Sequence, residues 1–585
     1  MTSPASPATS DPIRRRLALT LLGGLAASGL WALTGAEALQ DRAPGLFLLL
    51  LAGLSTWAVV ALALAGPLRL GRALAGALIL ALPAAGLLRL AGQRYVQPLD
   101  VLQAPGTLTI FLLAVFVATP FLGVALARRP PVLSYPALFQ TAWSITIRFA
   151  AAGLFTGVVW GLLYLSDALL GIVGIDAIGD VIDIDGVPAA LTGAALGLGI
   201  AVIHELREVV SALVLLRLLR LLVWPVLAVV AVFLVAVPLR GLSGLVLGLS
   251  SGGTLMGVAM GAVTLITCAL GRDDSEAMRP AIAPRLLAFS VPLLAGLGVW
   301  AVALRVGQYG LTPDRVLAGT VALVLLAYGL AYAGAALRAA GWMARLRRVN
   351  VWLALLVIAV SCAWMTPLLD AARLSAASQL ARFADGRATT GQLPLWRMQT
   401  DWGRAGQDAL AELEAMTDHP EHAALVAAIE AVRRGEPWHR ALRDPGGDRL
   451  QMATDLALWV PVRPDGALDP DKLADIPPYW LRQWHDLCAP EADGPARCVF
   501  VRGRFAADLP AADQGVMIER DTDGTHIAQH IRWPGPEVLA IDTAAGLPED
   551  AIARILDGDV PLTPVETEAL DFGTIRIAPG LRATK

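Results

Sequence analysis

Long apolar runs separated by short polar turns fill the first two thirds of the chain and then stop. They read Leu17–Leu33, Leu46–Ala65, Ala73–Leu90, Thr107–Ala127, Phe149–Leu165, Ala189–Ile203, Leu221–Val237, Thr254–Leu270, Leu286–Leu304, Val316–Leu337 and Val351–Leu369. Most are long enough for a helix across a hydrocarbon core of ~30 Å at ~1.5 Å per residue. Pro83, Pro120, Pro225 and Pro292 fall inside runs, which membrane helices tolerate when neighbours satisfy the freed carbonyls. Small residues recur as Gly193, Gly197 and Gly199, and again as Gly253, Gly257 and Gly261. The second series forms a stripe on one helix face, suited to close helix packing.

After Asp370 the period shortens. Leu374–Phe383, Gly403–Met416 and His422–Arg434 carry apolar residues at three- and four-residue steps and read as helices. From Asp444 the chain is turn-rich, with strands expected at Leu456–Val462, Arg497–Arg502, Gly515–Arg520, His526–Trp533 and Phe572–Ile577. Asp521-Thr522-Asp523-Gly524 suits a hairpin turn, and Pro548–Leu556 a short helix. The pattern therefore predicts an all-α polytopic transmembrane bundle of about 11 helices over 1–370, followed by a soluble α+β region. Within that region, 371–443 reads as a helical membrane-proximal part and 444–585 as a small α+β extracytoplasmic domain.

Composition agrees. The 585 residues are 56% hydrophobic and 16% charged, with mean hydropathy +0.61, far too apolar for a soluble chain of this length. Residues 371–585 hold 22 Lys+Arg against 33 Asp+Glu, leaving 24 against 16 in residues 1–370. A basic membrane half and an acidic soluble half suit a lipid bilayer as partner and argue against nucleic acid.

Arginines in the short loops set an expected direction. With the N-terminus inside, the inside loops carry Arg14–Arg16, Arg69, Arg72, Arg128, Arg129, Arg207, Arg217, Arg220, Arg272, Arg279, Arg285, Arg338, Arg345, Arg347 and Arg348. The outside loops carry Arg42, Arg94, Arg240, Arg305 and Arg315, a bias of more than threefold. Leu17–Leu33 followed by Ala36-Glu37-Ala38 mimics a secretory signal, but its length and the spans that follow favour an uncleaved first helix. Eleven spans then place the C-terminal half in the periplasm of a bacterial inner-membrane protein. Miscounting one span within Ala189–Gly253 would reverse this. In an oxidising compartment Cys488 and Cys498 are expected to pair, whereas Cys268 and Cys362 lie in apolar spans as structural thiols.

Ionisable residues in or near the bilayer are functional candidates by default. Arg148 opens the fifth run and is expected to snorkel to the inner surface, with Asp167 at its other boundary. His204 and Glu205 end a short run as a helix-end pair or a proton relay. Asp176, Asp180, Asp183 and Asp185 crowd one external loop, and Ile182-Asp183-Ile184-Asp185 alternates as a strand would. They read either as a divalent-cation or ligand site or as an acidic outside loop. The aromatic cluster Tyr479, Trp480 and Trp484 could stack a sugar or peptide, or pack in a core. No nucleophile elbow, zinc-protease helix or phosphate-binding glycine loop is present, so no cofactor and no catalytic residue is expected.

Thr312-Pro313-Asp314 is a helix start, with a hydroxyl cap, proline at the first position and an acid in the first turn. The surrounding Gln308-Tyr309-Gly310-Leu311-Thr312-Pro313-Asp314-Arg315, together with Tyr135-Pro136 through Trp143 and Asp370-Ala371-Ala372-Arg373-Leu374-Ser375 with Gln379, carries a resemblance. The chain resembles the bacterial membrane-protein family catalogued as domain of unknown function 4153. That resemblance implies a multi-pass inner-membrane architecture and supplies no catalytic residues. The sequence expectation is thus an envelope scaffold or ligand- and partner-binding protein with a periplasmic domain. The alternatives are a small-molecule or ion transporter and an enzyme acting on lipid-linked substrates.

Overall fold

The computed structural model describes residues 12–66, 68–128, 130–205, 212–240, 249–434, 448–490, 495–506, 509–520, 525–533, 537–541, 547–548, 550–563, 570–571 and 576–577. Among them, 11 helices are long and apolar enough to cross a membrane. In chain order these are α1 (Pro12–Thr34), α2 (Pro44–Leu64), α3 (Leu70–Gly92), α4 (Thr107–Ala127), α5 (Tyr135–Ile172), α6 (Val187–Glu205), α7 (Val223–Arg240), α8 (Leu249–Leu270), α9 (Ile282–Tyr309), α10 (Pro313–Ala336) and α11 (Trp342–Met365). The short helix Ala212–Leu221 runs on into α7, and one span, Leu216–Val237, covers both. The chain is a multi-pass membrane protein followed by a small mixed sheet.

Packing divides it into two compact units, 1–388 with 397–415 and 389–396 with 416–585. The first extends past Asp370, where composition changes, because α12 (Ala371–Ala384) and α13 (Gly403–Glu414) pack within it. It contains two apolar clusters. One joins Leu19, Leu48, Val60, Leu64, Phe111 and Ile200 of the N-terminal helices. The other joins Val223, Leu255, Ile266, Leu287, Val291 and Tyr332 of α7–α10.

The glycines divide by what they touch. A Cβ on Gly193 would lie 2.2 Å from the Gly23 carbonyl oxygen, and one on Gly197 would lie 2.1 Å from that of Leu19, so α6 crosses α1 at backbone distance. Gly253, Gly257 and Gly261, the stripe expected to pack, have nothing within 4 Å of an added Cβ. A glycine stripe permits close approach but does not attract a partner.

Arginines cap helix C-termini along one end of this unit. Arg15 donates to the carbonyls of Ala65 and Gly66 (both 2.7 Å), just past α2, and Arg148 to Ala63 (2.9 Å) in its last turn. Arg220 donates to Cys268 (2.8 Å) and Arg347 to Leu270 (2.7 Å) at the end of α8. Arg285 reaches Ala336 and Arg345 reaches Ala335 at the end of α10, both at 3.1 Å. The last four carbonyls of a helix lack internal partners and carry the negative end of its dipole, so guanidinium groups satisfy both needs.

Two expectations from pattern are corrected here. The fifth run lies inside α5, a helix of 38 residues that begins at Tyr135 rather than Phe149. Its first half buries Leu138, Phe139 and Ile145, so it is amphipathic and escapes a search for uniformly apolar runs. Ile182–Asp185 is no strand. Ala177–Ile182 forms a short helix and Asp183 its C-cap, since a four-residue alternation without a partner strand has no ladder to join.

The second unit centres on a five-stranded sheet of β1 (Val462–Arg463), β2 (Cys498–Arg502), β3 (Gln514–Arg520), β4 (His526–Arg532) and β5 (Glu537–Ala540), in that order. β1 pairs parallel to β2, and the remaining pairs are antiparallel. With α14 (His422–Arg433), α15 (Asp448–Trp459), α16 (Pro478–Cys488) and α17 (Ala551–Asp557), it forms an α+β layer structure. Leu456–Val462 is mostly the end of α15 and not a strand: Met452, Ala453 and Leu456 present a helical face to the core, and only Val462 enters the sheet. The hairpin residues Asp521–Gly524 and the start of the strand expected at Phe572–Ile577 lie outside the described residues.

On one face Phe500, Met517 and Ile531 pack against Trp484, with Cys488 bonded to Cys498. Trp480 and Trp484 belong to this core, their rings 6.4 Å apart, and Trp484 is fully buried. Its indole N–H donates to Gln529 (2.9 Å), the partner a buried tryptophan needs.

A local pH effect follows in this unit. The backbone N–H of Thr390 donates to the Glu421 carboxylate at 2.7 Å, and that bond holds the carboxyl below its ordinary value. A lowered folded-state value contributes stability that is present above the unfolded value of ~4.3 and is lost as pH falls through the folded one. Denaturation curves of wild type and Glu421→Gln should therefore be separated at pH 7 and converge below about pH 4. A separation unchanged down to pH 3 would remove the carboxylate from this role.

Candidate functional site

The residues singled out in sequence do not assemble into one site. Asp176, Asp180, Asp183 and Asp185 are all exposed on and beside the short helix Ala177–Ile182. Among the described residues, no three His, Cys, Asp or Glu side chains lie close enough to share a metal ion. Asp167, near the end of α5, faces Gly179 of that helix; a Cβ there would lie 3.1 Å from its carboxylate.

Earlier in α5, Arg148 is buried, 5% exposed, and held by the protein. Besides Ala63, its Nε donates to the Ser144 carbonyl (3.1 Å). Gly66 leaves room for it: an added Cβ would overlap the guanidinium and lie 3.1 Å from His204 Nδ1. Glu205 accepts from Arg16 Nε at 3.2 and 3.1 Å, so the end of α6 is tied to the start of α1. These polar residues fasten helix ends.

The segment Gln308–Arg315 is the turn between α9 and α10, and α12 covers it. Gln379 Nε2 donates to the carbonyls of Tyr309 (3.0 Å) and Leu311 (2.8 Å), and the Leu311 N–H donates to Ser378 Oγ (3.1 Å). Arg382 donates to Gly307 (3.0 Å) and Gln308 (2.7 Å), and Arg315 to Gly310 (2.8 Å). Gly310 has φ +73°, and a Cβ there would lie 2.6 Å from Arg382 Cδ, so this position needs glycine for both reasons. Thr312 caps α10 by accepting from the Arg315 N–H, Pro313 takes its first position, and Asp314 pairs with Arg397 at 3.0 Å. The first and last motif segments of the resemblance remain apart in role. Tyr135, Phe139 and Trp143 stack along α5, while Gln379 and its helix clamp this turn.

A cavity of about 510 Å³ lies in the second unit, on the sheet face opposite Trp484. Alternation builds its floor. In β2, Phe500 points to the core and Val501 to the cavity; in β3, Met517 points to the core and Val516 and Ile518 to the cavity. Val501 and Val516 are cross-strand partners. Phe505, Ile541 and Ile555 of α17 form the walls. Val560 and Leu562, 48% and 52% exposed, stand at the mouth.

Arg463 is the one charged residue among the lining residues described. Its Nε and Nη2 donate to the Leu556 carbonyl (3.2 and 2.7 Å), and its Nη1 meets Asp465 at 2.6 Å. The aspartate is 95% exposed, so the guanidinium is held by the protein on one side and turned to solvent on the other. Apolar walls with one placed cation are features that small-molecule sites share, and the volume is in their usual range of ~300–1,000 Å³. None of these residues stands out in the sequence, because they come from β1, β2, β3, α17 and several separate loops. No family model, curated protein or solved structure matches this chain.

Proposed function

We propose that the protein is a bacterial inner-membrane protein with a cytoplasmic N-terminus, whose C-terminal α+β domain lies in the periplasm and binds an apolar ligand there. Kinship with the family of domain of unknown function 4153 belongs to the same proposal. The carrying observation is the cavity over Val501, Val516 and Ile518. A concave, mostly apolar cleft with a few placed polar groups is the usual form of a small-molecule site. The arginine bias of the loops and the Cys488–Cys498 bond favour the periplasm for this domain.

Two measurements test the reading. An alkaline phosphatase fused after Lys585 should be active in cells, whereas a fusion active only in the cytoplasm would reverse the direction. The neutral probe N-phenyl-1-naphthylamine should gain fluorescence with the full-length protein in lipid nanodiscs and lose that gain with Ile518→Trp, which fills the cavity. Equal signals from the two proteins would leave the cavity without a ligand.

A further inference from the structure

We infer that the ligand of this cavity is a single-chain anionic amphiphile of the fatty-acid type, its alkyl chain over Val516 and Ile518 and its carboxylate on Arg463. This rests on the reading that the cavity is the ligand site. The charge argument starts from how Arg463 is held. Two of its nitrogens are fixed on the Leu556 carbonyl, which orients the guanidinium at the rim without neutralising it. Its remaining ligand is a carboxylate, Asp465 Oδ1, on a side chain that is 95% exposed.

An exposed ion pair of this kind contributes little to stability. A carboxylate from solvent can replace it without breaking the core, because Asp465 returns to water and the arginine stays in place. Asp465 thus marks where an anionic group binds, at the edge of an apolar chamber. Guanidinium prefers planar carboxylates through paired N–H donors. The chamber behind it is lined by Val501, Val516, Ile518, Ile541 and Ile555, which offer an alkyl chain contact and no hydrogen bond. A sugar or peptide would leave its polar groups unpaired there. Val560 and Leu562 continue the apolar surface outwards, as a long chain requires.

The test uses the full-length protein in nanodiscs and two probes, 11-(dansylamino)undecanoic acid and its methyl ester. The acid should bind about tenfold more tightly than the ester. Arg463→Gln should remove that difference by weakening the acid alone, while Ile518→Trp should remove both signals above lipid partition. Unchanged tryptophan fluorescence and thermal midpoint in Arg463→Gln would establish that the variant is folded. Equal binding of acid and ester, with N-phenyl-1-naphthylamine still bound, would overturn the anionic amphiphile while leaving an apolar ligand. Failure of all three probes would overturn both readings.

Discussion

Gly193→Ala is expected to destabilise the membrane unit by about 1–3 kcal/mol, and Gly193→Leu to prevent its assembly. The added methyl would sit 2.2 Å from the Gly23 carbonyl oxygen and 2.6 Å from Ala27 Cβ. Carbon–oxygen contacts between helices settle at ~3.3–3.6 Å, so the two backbones must part by about 1 Å. The crossing cannot absorb this at one point, because Gly197 meets the Leu19 carbonyl one turn away. The end of α6 is also held to Arg16 through Glu205. Gly257→Ala serves as the comparison, since nothing lies within 4 Å of its Cβ, and it should leave the thermal midpoint in detergent unchanged. Equal losses from the two alanine variants would contradict the close crossing of α1 and α6.

Removing the Cys488–Cys498 bond by double alanine substitution is expected to cost the second unit about 2–4 kcal/mol, or roughly 5–15 °C of its thermal midpoint. The bond joins the end of α16 to the start of β2, with Cα atoms 5.4 Å apart and a separation of 10 residues. A short closed loop restricts the unfolded chain modestly. The location adds to this, because both cysteines are buried beside Trp484 and Phe500 in the larger apolar cluster. Alanine also removes sulfur contacts there, so reduction of the wild type separates the two contributions. Dithiothreitol should lower the wild-type midpoint and leave the double variant where it is. A wild-type midpoint indifferent to dithiothreitol would mean that the thiols are not joined in the purified protein.

The number of spans was legible because a bilayer demands long apolar runs, and nothing else in the chain imitates them. What a run packs against was not legible. Gly193 and Gly257 look alike in sequence, yet one touches a backbone and the other nothing, since an absent side chain carries no information about its neighbour. The strand expected at Leu456–Val462 failed for a related reason. Leu456, Leu458 and Val460 alternate, but the buried residues Ala453, Leu456 and Val460 follow the helical step as well. Short apolar stretches satisfy both periods, and length is the usual arbiter. The cavity was invisible because alternation reveals which face of a strand is apolar, not whether that face is covered.

The loop arginines, read as a signal of direction, also have local work. α2, α8 and α10 each receive guanidinium donors on carbonyls of their last turn. Residues that the sequence offers as a signal of direction therefore also cap helices, so their number answers to a local demand as well.

The length of α5 has a further consequence. Arg148 and Asp167 stand 19 residues apart on this one helix, about 28 Å along its axis at ~1.5 Å per residue. That separation is close to the ~30 Å of hydrocarbon in a bilayer, so the stretch between the two charges is long enough by itself to cross one. The 13 residues before Arg148 extend the same helix by about 20 Å beyond that stretch. Tyr135, Phe139 and Trp143 are stacked along that extension and pack there against Leu216, Leu219 and Cys268, so the added length of α5 ties the N-terminal helices to the ends of the later ones.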